Sequence, residues 1–312
     1  MGVLGFDTSN YTTSAACFDG ETGMSVRKLL PVPPGELGLR QSEALFHHVR
    51  QLPALLAQLE AEGLPSLIQA VGASTRPRAV EGSYMPCFLA GASQGECLAH
   101  ALGVPFFPCS HQQGHLAAAA WSAGELQLLE GRFLAWHLSG GTTELLLVEP
   151  EGTELRAQRI GGSTDLSAGQ LIDRCGVQLG LPFPAGRALD ALAEDCGGEE
   201  FFGVKCRGLD FSLSGMENQF LRRLEEGWEP GRVARFVLLS VAEAVRRCTL
   251  AAQAQYPGLP VLCSGGVASN RLLRQRLPQA RFAAPEYSTD NAMGVAVLTQ
   301  RALAHREDTH AN

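Results

Sequence analysis

Residues able to do chemistry gather at four places in this chain. The first is Ser110-His111-Gln112-Gln113-Gly114-His115. Histidines four apart share one face of a helix, so both rings can reach a single metal ion. Two ordinary histidines fit the spacing equally well, and the residues alone leave both readings open. A metalloprotease is excluded, because Gln112 stands where that site needs Glu as general base. The second place is Ser139-Gly140-Gly141-Thr142-Thr143. Successive glycines let backbone N–H groups converge on a phosphate or carbonyl oxygen, and they also make tight hairpin turns. The third is Ser264-Gly265-Gly266-Val267-Ala268-Ser269-Asn270-Arg271, read as a strand opening into a helix whose N-terminus faces an anion or nucleotide. It lacks the GxGxxG spacing, so a dinucleotide fold is not indicated. The fourth is Ser288-Thr289-Asp290-Asn291, a polar turn before the last helix, with Thr289 or Asp290 as N-cap.

The elements that must position these groups follow from periodicity. Val3–Asp19 and Phe133–Glu149 each read as an apolar run, a small polar or Gly-rich turn, and a second run. They are two hairpins ~130 residues apart, about one domain length. Either they are a duplicated α/β unit with a cleft between its halves, or two unrelated hairpins. Helices are expected over 41–62, 88–102, 110–121, 168–180, 185–194, 233–255, 270–277 and 291–304. Strands are expected over 67–74, 104–107 and 260–263. The Pro-rich stretch 29–38 reads as a surface loop.

Composition bounds the class. The 312 residues are 45% hydrophobic and 18% charged, which describes a folded chain of about two domains. No apolar stretch approaches the ~20 residues of a membrane span. The start, MGVLGFDTS, has no basic region and reads as no signal peptide. Nine cysteines lie widely spaced with no CxxC pair, as in a reduced, cytoplasmic protein. The net charge of −7 gives no overall positive field to draw in nucleic acid.

Taken in order, the motifs are more specific than any one alone. The chain resembles the TsaD family, tRNA threonylcarbamoyl transferases, along nearly its whole length. The resemblance rests on GFDTSNYTTSAA, SHQQGHLAAA, LSGGTTELLLV, LIDRCGVQLGLPFPAG, GLDFSLSG, CSGGVASNRLLR and STDNAMGVAV. It implies the duplicated actin/Hsp70/sugar-kinase (RNase H-like) α/β fold, two lobes with a nucleotide cleft between them. The expected lobes are 1–105 with 290–312, and 106–289 carrying metal and nucleotide contacts. By position, His111, His115 and Asp290 match the metal ligands, holding one divalent ion, iron or zinc. Leu138, Ser139, Gly140 and Gly141 match the turn beside the phosphate and threonylcarbamoyl groups, with Ser139–Gly141 as the catalytic amides. Asp173, Gly186, Asp190 and Asn270 match the nucleotide side, the carboxylates accepting from ribose hydroxyls. The partners implied are tRNA, a related actin-fold subunit and a small ATPase, with no membrane.

Three departures mark a divergent paralogue. Asn10-Tyr11-Thr12-Thr13 replaces the family's acidic Cys-Asp-Glu-Thr stretch. Thr75-Arg76-Pro77-Arg78, followed by residues 81–86, replaces a GPGL turn. Thr142 replaces a histidine. The expected activity is therefore transfer of threonylcarbamoyl from its adenylate to N6 of the adenosine beside the tRNA anticodon. The alternatives are a related transferase with a small-molecule or protein acceptor, and a non-catalytic nucleotide-binding partner subunit.

Overall fold

The computed structural model describes residues 1–9, 11–32 and 39–311. Asn10 and residues 33–38, which hold most of the expected surface loop, lie outside the described residues. Contacts divide the chain into two compact units. The first comprises residues 1–131, 149–157 and 289–312, and the second 132–148 and 158–288.

The first unit opens with β1 (Gly2–Asp7), β2 (Thr12–Phe18) and β3 (Gly23–Leu29). These strands pair antiparallel, β1 with β2 and β2 with β3. Helix α1 (Gln41–Glu62) leads to β4 (Ile68–Arg76), which pairs parallel with β1. Helix α2 (Leu89–Leu102) leads to β5 (Phe106–Ser110), parallel to β4. The sheet order is β3-β2-β1-β4-β5. Helix α3 (His111–Ser122) follows β5 with no intervening loop. Leu52, Leu55 and Leu59 of α1 recur at helical spacing and pack with Leu4, Phe6 and Val71 of the sheet.

The second unit repeats that plan. It runs through β6 (Phe133–Leu138), β7 (Thr143–Glu151), β8 (Glu154–Ser163), α4 (Ala168–Gln178) and α5 (Gly186–Leu192). Then come β9 (Cys206–Arg207), β10 (Asp210–Phe211), α6 (Gly215–Glu225) and α7 (Pro230–Gln255). It ends with β11 (Val261–Ser264), α8 (Arg271–Arg276) and β12 (Arg281–Phe282). Its sheet order is β12-β11-β6-β7-β8-β10-β9. β6 is antiparallel to β7 and parallel to β11, as β1 is to β2 and β4. One face of α7, including Val233, Val237, Val241 and Val245, packs with the fully buried Trp136. The indole N–H of Trp136 donates to Thr249 Oγ1 at 2.9 Å, which satisfies its one polar atom in the core.

The chain then returns to the first unit as α9 (Met293–Ala311). Residues 106–131 also belong there, not to the second lobe as expected. The reason is pairing: β5 is bonded to β4, with Val71 opposite Phe106. Both histidines of the HxxxH motif therefore lie in the first unit.

Candidate functional site

The metal-ligand candidates are built by the junction between β5 and α3. Ser110 ends β5 and caps α3: its hydroxyl accepts from Gln113 N–H at 3.2 Å. Gln113 Oε1 accepts in return from Ser110 N–H at 2.7 Å, so two otherwise orphaned donors are satisfied. His111 is then the first helical residue, with His115 one turn on.

Asp290 reaches them because α3 and α9 cross closely. A side-chain carbon on Gly294 would sit 1.7 Å from the Gly114 carbonyl oxygen, so only glycine permits the crossing. Gly114 lies between the two histidines, and Gly294 four residues after Asp290. Asn291 supplies the turn's capping contact, its Oδ1 accepting from Met293 N–H at 3.1 Å. Thr289 receives Arg27. A capping contact thus comes from Asn291, beyond the expected Thr289 and Asp290, and Asp290 Oδ1 turns to the histidines.

Nε2 of His115 lies 2.9 Å from Nε2 of His111. Asp290 Oδ1 is 3.3 Å from His115 Nε2 and 3.6 Å from His111 Nε2. One ligand atom from each falls within 4.8 Å of the others. Two imidazole nitrogens and a carboxylate oxygen suit iron or zinc. The His111 ring points its Nε2 to the other two groups, while its Nδ1 lies 3.1 Å from Asp7 Oδ1. Donors and orientation therefore fit a divalent ion.

Asp7 is the group that motif reading missed. It is 1% exposed at the end of β1. Its visible signal was a carboxylate closing an apolar strand, Val3-Leu4-Gly5-Phe6-Asp7. Burial pushes its pKa up, but the charge and hydrogen bond of His111 and a bond from Ser74 outweigh this and hold it low. Burial pulls His111 down, and the charge and hydrogen bond of Asp7, helped by Asp290, raise it overall.

The second unit carries a cavity of about 790 Å³. Gly140, Asp173, Gly186, Asp190 and Asn270 line it, five of the expected contacts. Leu138, Ser139 and Gly141 are not among its lining residues. Leu138 is fully buried, and Ser139 is tied into its own turn, its N–H donating to Thr142 O at 2.9 Å. Gly140, Gly141 and Gly266 are telling in another way. A side-chain carbon at any of them would meet no atom within 4 Å, and none has a left-handed backbone. Neither packing nor conformation in the folded chain requires glycine there. Gly140 and Gly266 both line the cavity.

The expected carboxylates are already engaged. Asp173 Oδ1 accepts from Ala185 N–H at 2.7 Å, just before α5. Asp190 accepts from Asn270 Nδ2 at 2.8 Å and from Arg271 Nε at 3.2 Å. Arg271, also missed, closes that clamp through the Asp190 carbonyl at 2.9 Å. The expected direct step from strand to helix at Ser264–Arg271 is broken by a 3-10 turn over Gly266–Ser269. Helix α8 starts only after it, capped by Asn270 Oδ1 on Leu273 N–H.

The family model for tRNA N6-adenosine threonylcarbamoyltransferase matches residues 38–297. The protein of that name from Streptococcus suis is 33% identical over 253 residues, 77% of this chain and 71% of the relative. One from Thermus thermophilus is 31% identical over 312 residues, 96% of this chain and 93% of the relative. Among solved structures, full-length HypF in its phosphate- and nucleotide-bound form aligns with TM-score 0.59 at 13% identity, covering 98% of this chain and 46% of that one. A ROK family glucokinase from Streptomyces griseus aligns with TM-score 0.52 at 15% identity, covering 96% and 100%. These likenesses show the actin/Hsp70/sugar-kinase fold. Motifs, fold and relatives together show that the chain belongs to the TsaD family of tRNA N6-adenosine threonylcarbamoyltransferases.

Proposed function

We propose that this protein transfers a threonylcarbamoyl group from threonylcarbamoyl-adenylate to N6 of the adenosine beside the tRNA anticodon. The observation that carries the reading is the His111, His115 and Asp290 donor set, brought within 4.8 Å in a chain of this family. His111, His115 and Asp290 would hold a divalent ion, iron or zinc, which when bound would supply Lewis acidity. Gly140 and Gly141 offer backbone N–H groups to the negative charge that develops as the amine attacks, while Ser139, its own N–H spent on Thr142 O, shapes the turn that presents them. Asp173, Gly186, Asp190 and Asn270 orient the adenosine moiety. Attack of N6 on the carbamoyl carbon forms the new C–N bond, the bond to the adenylate phosphate oxygen breaks, AMP departs with the electron pair, and the proton released from N6 passes to solvent.

No protein nucleophile is needed, since AMP is a competent leaving group. The cysteines agree: burial pushes the Cys175, Cys248 and Cys263 thiols up to about 12, far from the reactive thiolate range. No helix among the described residues is long and apolar enough to cross a membrane. We place the reaction in the cytoplasm, with a related actin-fold subunit and a small ATPase as partners.

A second reading keeps the chemistry and changes the acceptor to a small molecule or protein. The replaced segment favours it: Val80 and Tyr84 there are 59% and 62% exposed. One assay separates the readings. The protein is incubated with threonylcarbamoyl-adenylate and unmodified tRNA, with and without partners, and the nucleosides are analysed by mass spectrometry. Threonylcarbamoyl-adenosine is the expected product. No product, with metal and AMP still bound, overturns the tRNA reading in favour of another acceptor. No product and no ligand favours a non-catalytic subunit.

A further inference from the structure

We infer that Asp7 is a positioning residue that fixes the ring of His111 for metal binding; this rests on the metal reading above. The strand register builds the contact. Phe6 of β1 pairs with Ala73 of β4, so Asp7 stands beside Ser74. Ser74 of β4 pairs with Cys109 of β5, two residues before His111. Three adjacent strand ends therefore bring Asp7, Ser74 and His111 together.

The hydrogen bonds then leave one arrangement. Asp7 is 1% exposed, Ser9 2% and Ser74 0%. The Ser74 hydroxyl donates to Asp7 Oδ1, and the Ser9 hydroxyl donates to Oδ2 at 2.6 Å. A buried carboxylate held by two hydroxyl donors accepts from its third partner, so His111 donates Nδ1–H to Oδ1 at 3.1 Å. With the Nδ1 proton committed there, the neutral ring carries its lone pair on Nε2. That is the nitrogen 2.9 Å from His115 and 3.6 Å from Asp290. A carboxylate behind a histidine ligand sets tautomer and ring angle, and losing one typically weakens metal binding ~10- to 100-fold.

The same support reaches the replaced segment. β4 runs through Ser74 into Thr75-Arg76, and Pro77 O accepts from Gln112 N–H at 3.0 Å. The departure at 75–78 thus abuts the residues that hold His111 without removing them.

Zn²⁺ affinity by chelator competition on the full chain is the test, with Asp7→Asn, Ser74→Ala and Ser9→Ala beside the unaltered protein. Asp7→Asn is expected to raise the Zn²⁺ Kd about 10- to 100-fold. Each serine variant keeps the carboxylate and gives a smaller loss in the same direction, which preserves the test should Asp7→Asn not fold. Independently of metal, ¹⁵N NMR of the apo protein, at a pH where the ring is neutral, should show His111 protonated at Nδ1. In Asp7→Asn that preference should be lost. An Nε2-protonated His111 in the unaltered protein, or a Zn²⁺ Kd within twofold in all three variants, overturns the positioning role. If the unaltered protein binds no Zn²⁺ but shows the Nδ1 tautomer, the metal reading fails while the Asp7 contact stands, and the positioning role toward metal is overturned with it.

Discussion

His111 and His115 announced themselves by spacing, and the structure adds what spacing does not carry. Replacing both by alanine is expected to abolish bound metal while leaving the thermal midpoint near that of the apo protein; metal analysis and calorimetry check this. Unchanged metal content would remove the site. Gly140 and Gly266 allow a sharper separation of fold from function. Each faces open space in the cavity with an ordinary backbone, so Gly140→Ala and Gly266→Ala should fold with little change in midpoint. AMP affinity, by calorimetric titration, should fall at least several-fold as the new methyl groups occupy ligand space. A loss of stability without loss of affinity would make these glycines structural. Asp165 gives the pH-dependent case. Burial pushes its carboxyl up, but donors from Ser212, Leu213 and Leu166 outweigh this and hold its pKa well below the usual carboxylate range. A carboxyl with a lowered folded pKa adds stability above its unfolded value near ~4 and loses it as pH falls through the folded one. Urea midpoints should therefore fall more steeply below about pH 4 in the native chain than in Asp165→Asn. At this scale the pairing of His111 with His115 was legible because helical spacing encodes it, whereas Asp290, far off in sequence, came only through the family resemblance. Asp7 and Arg271 were not, because their partners lie 104 and 81 residues away in sequence.

Helix and strand positions came through well where periodicity was strong. Helix α1 formed over Gln41–Glu62 despite Pro53 in its interior, because Leu52, Leu55 and Leu59 bury one face. Strand β8 went unread, since Glu154–Ser163 mixes buried and exposed residues without a clean period. The α3–α9 crossing was invisible too: nothing in Gly114 or Gly294 alone says that they meet. Its consequence is testable. Gly294→Ala forces a methyl against the Gly114 carbonyl, so α9 must move from α3. The expected cost is about 1–3 kcal/mol of stability, with weakened metal binding because Asp290 moves with α9. Ser110→Ala addresses the other end of the same construction. It removes the cap under His111, at about 1 kcal/mol, and frays the turn that presents the ring. A urea midpoint and a Zn²⁺ titration read both effects, and intact metal binding in Gly294→Ala would show that the crossing does not set Asp290.

For the whole molecule, duplication was legible only in its first half-step. The two hairpins sit at matching places, β1 and β6, each flanked by a parallel strand, β4 or β11. In the second unit that parallel strand arrives only after α4 to α7, so no sequence reading of consecutive elements pairs β11 with β6. Charge is the other global property, and it bears on the proposed tRNA substrate. The net charge is −7. Many of the arginines that supply the positive charge are already paired with acids. Arg159 meets Asp210, Arg232 meets Glu200, Arg235 and Arg276 share Glu199, and Arg301 meets Glu130. Paired guanidinium groups contribute little to a field that gathers phosphates. The chain alone should therefore bind tRNA through few phosphate contacts, giving a shallow dependence of log K on log salt, with slope magnitude under about 4. Adding the proposed partner subunits should both tighten binding and steepen the slope, if their surfaces supply the missing positive charge. Filter binding across a salt series measures this. A slope as steep as that of a protein with ~6–10 phosphate contacts, from the chain alone, would show a concentrated basic surface that the net charge conceals.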